Sequence, residues 1–148
     1  MFRIVLHLAA FTTLTLVAVP VHATTCIEFH AADRIGEFSS EAISESSGLA
    51  VSGQHSDTLW THNDSGDSAR FYAFTSSGQS RGIINLSGAS AFDWEAMAIG
   101  PCGQETCLVI GDVGDNNTER DDISLWQLTE PTPTGEGTEQ IISANEIR

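Results

Sequence analysis

The chain has no lysine. Its six basic residues are all arginines, set against 20 aspartates and glutamates, so its 148 residues carry a formal charge of −14. Such a surface repels nucleic-acid phosphate and anionic lipid and attracts cations, which excludes nucleic-acid binding first. Long apolar runs are almost as scarce. The longest, Ile4 to Val19, is interrupted by Thr12, Thr13 and Thr15 and falls short of the roughly 18 residues that a membrane span needs. With Arg3 before it and Val21-His22-Ala23 after it, this run reads as an export signal cleaved after Ala23. Removing residues 1–23 takes away Arg3 and no acid, leaving 125 residues (148 minus 23) at −15, enough for one modest domain. Localisation is therefore expected to be periplasmic or extracellular.

Cysteine is sparse as well, at three residues. In an exported chain this suggests one bridge and one thiol over. Cys102 and Cys107 flank Gly103-Gln104-Glu105-Thr106, a turn between two strand-like runs, where facing positions come within disulfide range. Cys26 is then the residue left over. A zinc site built from cysteine with His55 or His62 lacks ligand spacing.

Helical periodicity is hard to find after residue 23, and strand signals dominate. Strands are expected near 47–52, 57–62, 69–75 and 80–86, then near 95–100, 106–111, 122–128 and 138–143, with Pro131-Thr132-Pro133-Thr134-Gly135 opening a linker over 131–137. The segment 24–44 has room for a further strand. This arrangement is a repeat: Ser47-Gly48-Leu49-Ala50 through Asp64-Ser65-Gly66-Asp67 recurs as Glu95-Ala96-Met97-Ala98 through Asp112-Val113-Gly114-Asp115, an offset of 48 at both ends (95 minus 47, 112 minus 64). A period of about 40 to 50 residues built from short strands is that of a β-propeller blade. The expected fold is all-β: a partial propeller of about two four-stranded antiparallel blades, 45–92 and 93–148. Closing a ring takes about four to eight blades, so the reading calls for a longer protein, for self-association, or for a partial fold with exposed edges.

Four motifs carry a resemblance: Glu45-Ser46-Ser47-Gly48-Leu49-Ala50, Leu59-Trp60-Thr61-His62-Asn63-Asp64-Ser65-Gly66-Asp67, Asp93-Trp94-Glu95-Ala96-Met97-Ala98 and Gly111-Asp112-Val113-Gly114-Asp115-Asn116-Asn117. Over residues 43–131 they resemble a family of exported bacterial β-propeller-like proteins. The resemblance implies further blades beyond this length, and so a C-terminally truncated member.

The acidic motifs are the candidate chemistry. Asp64 and Asp67 close one strand and Asp112 and Asp115 close its counterpart, so a propeller places both pairs on one face. Asp93 and Glu95 open the second blade. Carboxylates are hard oxygen donors suited to Ca²⁺, making these six the candidate ligands of a divalent cation. The competing reading of Asp-x-Gly-Asp is a tight turn, with glycine at positive φ and aspartate bonding nearby amides. For Asp93 and Glu95 it is a strand-entry pair. Gly78-Gln79-Ser80-Arg81-Gly82 has the spacing of a serine-hydrolase elbow but sits between strands, and every histidine precedes Ser80. Trp60, Trp94 and Trp126 are expected to fill the layer between blades. Function is expected to be an exported binding or scaffold module for an unidentified ligand, its acidic face holding a cation. The alternative is a calcium-dependent, phosphoesterase-like hydrolase that forms when the ring is complete, drawing on Arg70, Arg81 and Arg120 to receive an anion.

Overall fold

Nine β-strands build the domain and no helix occurs among the described residues, which in this computed structural model are 31–147. The export signal, its cleavage at Ala23, and Cys26 lie outside them. Strands β1 (Ser46–Val51), β2 (Leu59–Asn63), β3 (Arg70–Phe74) and β4 (Ser80–Ser87) form an antiparallel meander. Strands β5 (Trp94–Cys102), β6 (Glu105–Asp112) and β7 (Ser124–Thr129) form a second one. The eight expected strands are present within about two residues of their expected ends; β1, β4 and β7 alternate buried and more exposed side chains as half-buried strands do, while β2 and β3 are buried at four consecutive positions.

The C-terminal part differs from expectation. The expected fourth strand of the second sheet forms as β8 (Glu139–Ser143) but joins the first sheet, running parallel to β4 with Ile84 opposite Gln140 and Leu86 opposite Ile142. The second sheet is instead completed by β9 (Asn145–Ile147), which pairs antiparallel with β7. The sheets are thus β1-β2-β3-β4-β8 and β5-β6-β7-β9. The chain crosses from one to the other over 131–138 and returns at Ala144. No strand forms in residues 31–44. Part of that segment lies along the β3–β4 turn, where Ser39 N donates to Gly78 O at 2.9 Å, and it places Phe38 edge-on against Phe74 at 4.7 Å.

The two sheets share one core. Ala50, Trp60, Phe71, Ala73, Ile84 and Leu86 from the first meet Trp94, Leu108, Ile110, Trp126 and Leu128 from the second. All three tryptophans are buried in this core. Trp60 also donates its indole N–H to Glu130 Oε1 at 2.9 Å, and Glu130 accepts from Ser52 Oγ (2.5 Å) and Gly53 N (3.2 Å), so a buried acid just after β7 fastens the β1–β2 hairpin. Cys102 and Cys107 are bridged across the β5–β6 hairpin. Gly78-Gln79 make the turn from β3 to β4 and Ser80 opens β4, a strand-to-strand setting without an elbow.

Candidate metal centre

The 48-residue repeat is real in the backbone but slips by one residue. Ser46 pairs with Asn63 in the first sheet and Trp94 with Asp112 in the second, so β1 maps on β5 at an offset of 48 while β2 maps on β6 at 49. The extra residue lies in the second hairpin: Val51 faces Leu59 (59 minus 51, eight), and Ile99 faces Leu108 (108 minus 99, nine). The residue equivalent to Asp112 is therefore Asn63, and not the Asp64 that motif matching selects.

Both residues do the same work. Asn63 Oδ1 accepts from the consecutive amides of Ser44 (3.1 Å) and Glu45 (3.2 Å), while Asp112 accepts from those of Phe92 (3.1 Å) and Asp93 (2.9 Å). Each end-of-strand side chain thus holds the entry of the neighbouring inner strand, satisfying amides that the ladder leaves unpaired. Asp112, 1% exposed, is also paired with Arg120 Nη1 at 2.5 Å, and Arg120 in turn lies over the Phe92 ring. Asp67 is similarly engaged: it accepts from Asn63 Nδ2 (2.7 Å), Tyr72 OH (2.8 Å), Arg70 Nε (2.9 Å) and Ser68 N (2.7 Å). Burial opposes ionisation of Asp67, but these donors, Arg70 foremost, together hold its pKa below the usual carboxylate value. The same burial and the adjacent Asp67 push the Tyr72 phenol well up. Asp115 accepts from the amides of Glu119 (2.8 Å) and Arg120 (3.2 Å), closing its own loop.

Three of the six candidate ligands come together and three do not. Carboxylate oxygens of Asp64, Asp93 and Glu95 lie within 4.8 Å of one another, whereas Asp67, Asp112 and Asp115 serve the turns and strand entries just described. The cluster joins the two sheets, because Asp64 follows β2 while Asp93 precedes β5 and Glu95 lies within it. Glu95 is the bulged residue of its strand, as Ser47 is of β1, and Ser47 Oγ donates to Glu95 Oε2 at 2.8 Å. A bulge re-aims a side chain out of the pleat. The two glycines of the acidic motifs have different tasks: Gly66 takes φ +89° in its turn, while Gly114 leaves room for the cluster, a Cβ there falling 2.4 Å from Asp93 Cγ and 2.8 Å from Glu95 Cγ.

Asp93 is the unusual member. It is 4% exposed, and its Oδ1 has no hydrogen-bond donor among the described residues. Oδ2 accepts a long contact from Asn116 Nδ2 at 3.5 Å. Burial first, then the adjoining Asp64 and Glu95 carboxyls, raise its pKa above the usual value against a weaker opposing backbone contact from Asn116. Beside Asp93, a recess of about 140 Å³ is lined by Ser65, Asp115, Asn116 and Asn117 among others, so the acidic loops of the two sheets do meet. His62, adjacent in sequence, is fully buried with Nδ1 2.8 Å from Asn63 O and Nε2 3.3 Å from Ala96 O, a packing position against Trp94.

Compared with protein families, with curated proteins and with solved structures, the chain finds no match. Among the described residues no helix is long and apolar enough to cross a membrane.

Proposed function

We propose that the chain is an exported binding or scaffold module whose two sheets are successive β-propeller-type blades, tied at their inner ends by a divalent cation held between Asp64, Asp93 and Glu95. The observation that carries the reading is Asp93 Oδ1, a buried oxygen that meets no N–H or hydroxyl donor among the described residues and lies in a group of three carboxyls. An unpaired buried carboxylate is costly, and a cation is the partner that the surrounding oxygens favour. The donor set is all hard oxygen, with the Asn116 amide and water-accessible space beside it, which suits Ca²⁺, whose roughly six to eight ligands tolerate irregular geometry better than the octahedron Mg²⁺ demands.

Binding is favoured over hydrolysis by the state of the arginines. Arg70 is held by Asp67 and Arg120 by Asp112, while Arg81 is spent on Ser56 O, Asp57 O and Thr58 Oγ1. None of the three cations named for an anionic substrate is left to receive one.

Isothermal titration tests the site. Ca²⁺ is expected to bind with one equivalent per chain and more tightly than Mg²⁺, Asp93→Asn to abolish the heat, and Ser47→Ala to weaken binding roughly tenfold by releasing the orientation of Glu95. Absence of saturable heat, or an unchanged isotherm in Asp93→Asn, would overturn the assignment.

A further inference from the structure

The way the two sheets pack leaves each chain with one unused copy of either half of that packing. Within the chain, Met97 and Ile99 of β5 pack against the shared core, and Met97 sits directly on Gly48 of β1, where an added Cβ would fall 2.9 Å from Met97 Cβ. By register, Leu49 and Val51 stand in β1 where Met97 and Ile99 stand in β5, and Ala96 and Ala98 stand in β5 where Gly48 and Ala50 stand in β1. Side chains alternate between faces along a strand. The first sheet therefore turns its apolar knobs, Leu49 (60% exposed) and Val51 (69% exposed), away from the second. The second sheet turns its small-residue face, exposed Ala96 and Ala98 with Gly111 behind them, away from the first.

By register these two free faces correspond to the two halves of the interface already present, with Ala96 and Gly111 standing where Gly48 and His62 stand, so the space that the His62 ring fills behind Gly48 is open behind Ala96. The knob face also holds an apolar recess of about 310 Å³ beside Leu49, Leu59, Phe74 and Ile35, only partly covered by the segment carrying Phe38. We infer that the Leu49/Val51 face of one chain docks on the Ala96/Ala98 face of a second copy of this chain, in an arrangement like that of β5 on β1 within one, shifted to admit the Ala96 Cβ where β1 has Gly48. The contact is heterologous, head to tail, and generates a ring where the rotation closes. Because every copy is strongly acidic, salt screens the repulsion and strengthens the association. The inference depends on the faces alone, and its failure would leave the cation site standing.

A complementation experiment by light scattering and native mass spectrometry decides it. The chain is expected to run as a multimer at high micromolar concentration. Leu49→Asp and Ala98→Asp, both at exposed positions, are expected to be folded monomers by circular dichroism. Mixed in equal amounts, they should form a dimer holding one of each, because Ala98→Asp retains an intact Leu49 face and Leu49→Asp an intact Ala98 face. A monomeric parent chain, a multimer that survives either substitution, or two variants that remain monomeric on mixing would each overturn the inference.

Discussion

Single side chains in this protein do different work from what their motifs suggest. Asp-x-Gly-Asp occurs twice, yet Asp64 points into the acidic cluster while Asp112 anchors two backbone amides and Arg120. Removing Asp112 leaves those groups buried without a partner, so Asp112→Ala is expected to cost about 3–5 kcal/mol, read from urea unfolding. An equivalent loss is expected at Asn63, where Asn63→Asp turns a donor to Asp67 and Ala42 O into a repelling oxygen. Asp67 gives a pH signature. Because its folded pKa lies below its unfolded one, its contribution is fully present above the unfolded value, about 3.9, and is lost as pH falls through the lower folded value. Stability of the parent chain should therefore decline through that acid window, and Asp67→Asn should start lower and lose less across it. At this scale the sequence was half legible: the acidic residues were visible as a group, and burial of the tryptophans followed from their strand positions. The separation of Asp64, Asp93 and Glu95 from Asp67, Asp112 and Asp115 was not, because a one-residue difference in hairpin length shifts the register without disturbing the motifs.

At the scale of strands, strand-forming runs bounded by turn residues located all eight expected elements, and the turn between Cys102 and Cys107 located the disulfide. A bridge closing so short a loop restricts the unfolded chain modestly, and replacing both cysteines with serine is expected to cost about 2 kcal/mol on the loop-entropy scale. Equilibrium urea unfolding of the double variant under non-reducing conditions checks this. The exchange of β8 into the first sheet was beyond sequence reading. Its strand signal is ordinary, and its partner is set by the 131–138 crossing, whose glycines at 135 and 137 both take positive φ, and by Ile142, which stands opposite Leu86 and packs against the core. A three-residue strand such as β9 has no period to detect. Together β8 and β9 stitch the C-terminal part of the chain into both sheets, whereas the acidic cluster joins the sheets near β1 and β5, at their opposite edges.

For the molecule as a whole, the two sheets are coupled through the shared core, through the passage from β8 to β9, through the Glu130 bonds to the β1–β2 hairpin, through the Ser47 and His62 contacts to β5, and at the junction of Asp64 with Asp93 and Glu95. The last is unfavourable in the absence of a cation, since it gathers three acids, one of them the buried Asp93, whose Oδ1 has no donor among the described residues. A ligand that binds the folded state alone stabilises it by mass action, about 1.4 kcal/mol at ten times its dissociation constant. For a domain of this size that corresponds to a melting rise of several degrees. The most direct measurement is the thermal unfolding of the parent chain and of Asp93→Asn, each in chelator and in millimolar Ca²⁺. Ca²⁺ is expected to raise the melting temperature of the parent by several degrees and to leave Asp93→Asn unmoved; a parent melt identical in chelator and Ca²⁺, or an equal rise in both proteins, would rule out a cation held by Asp93.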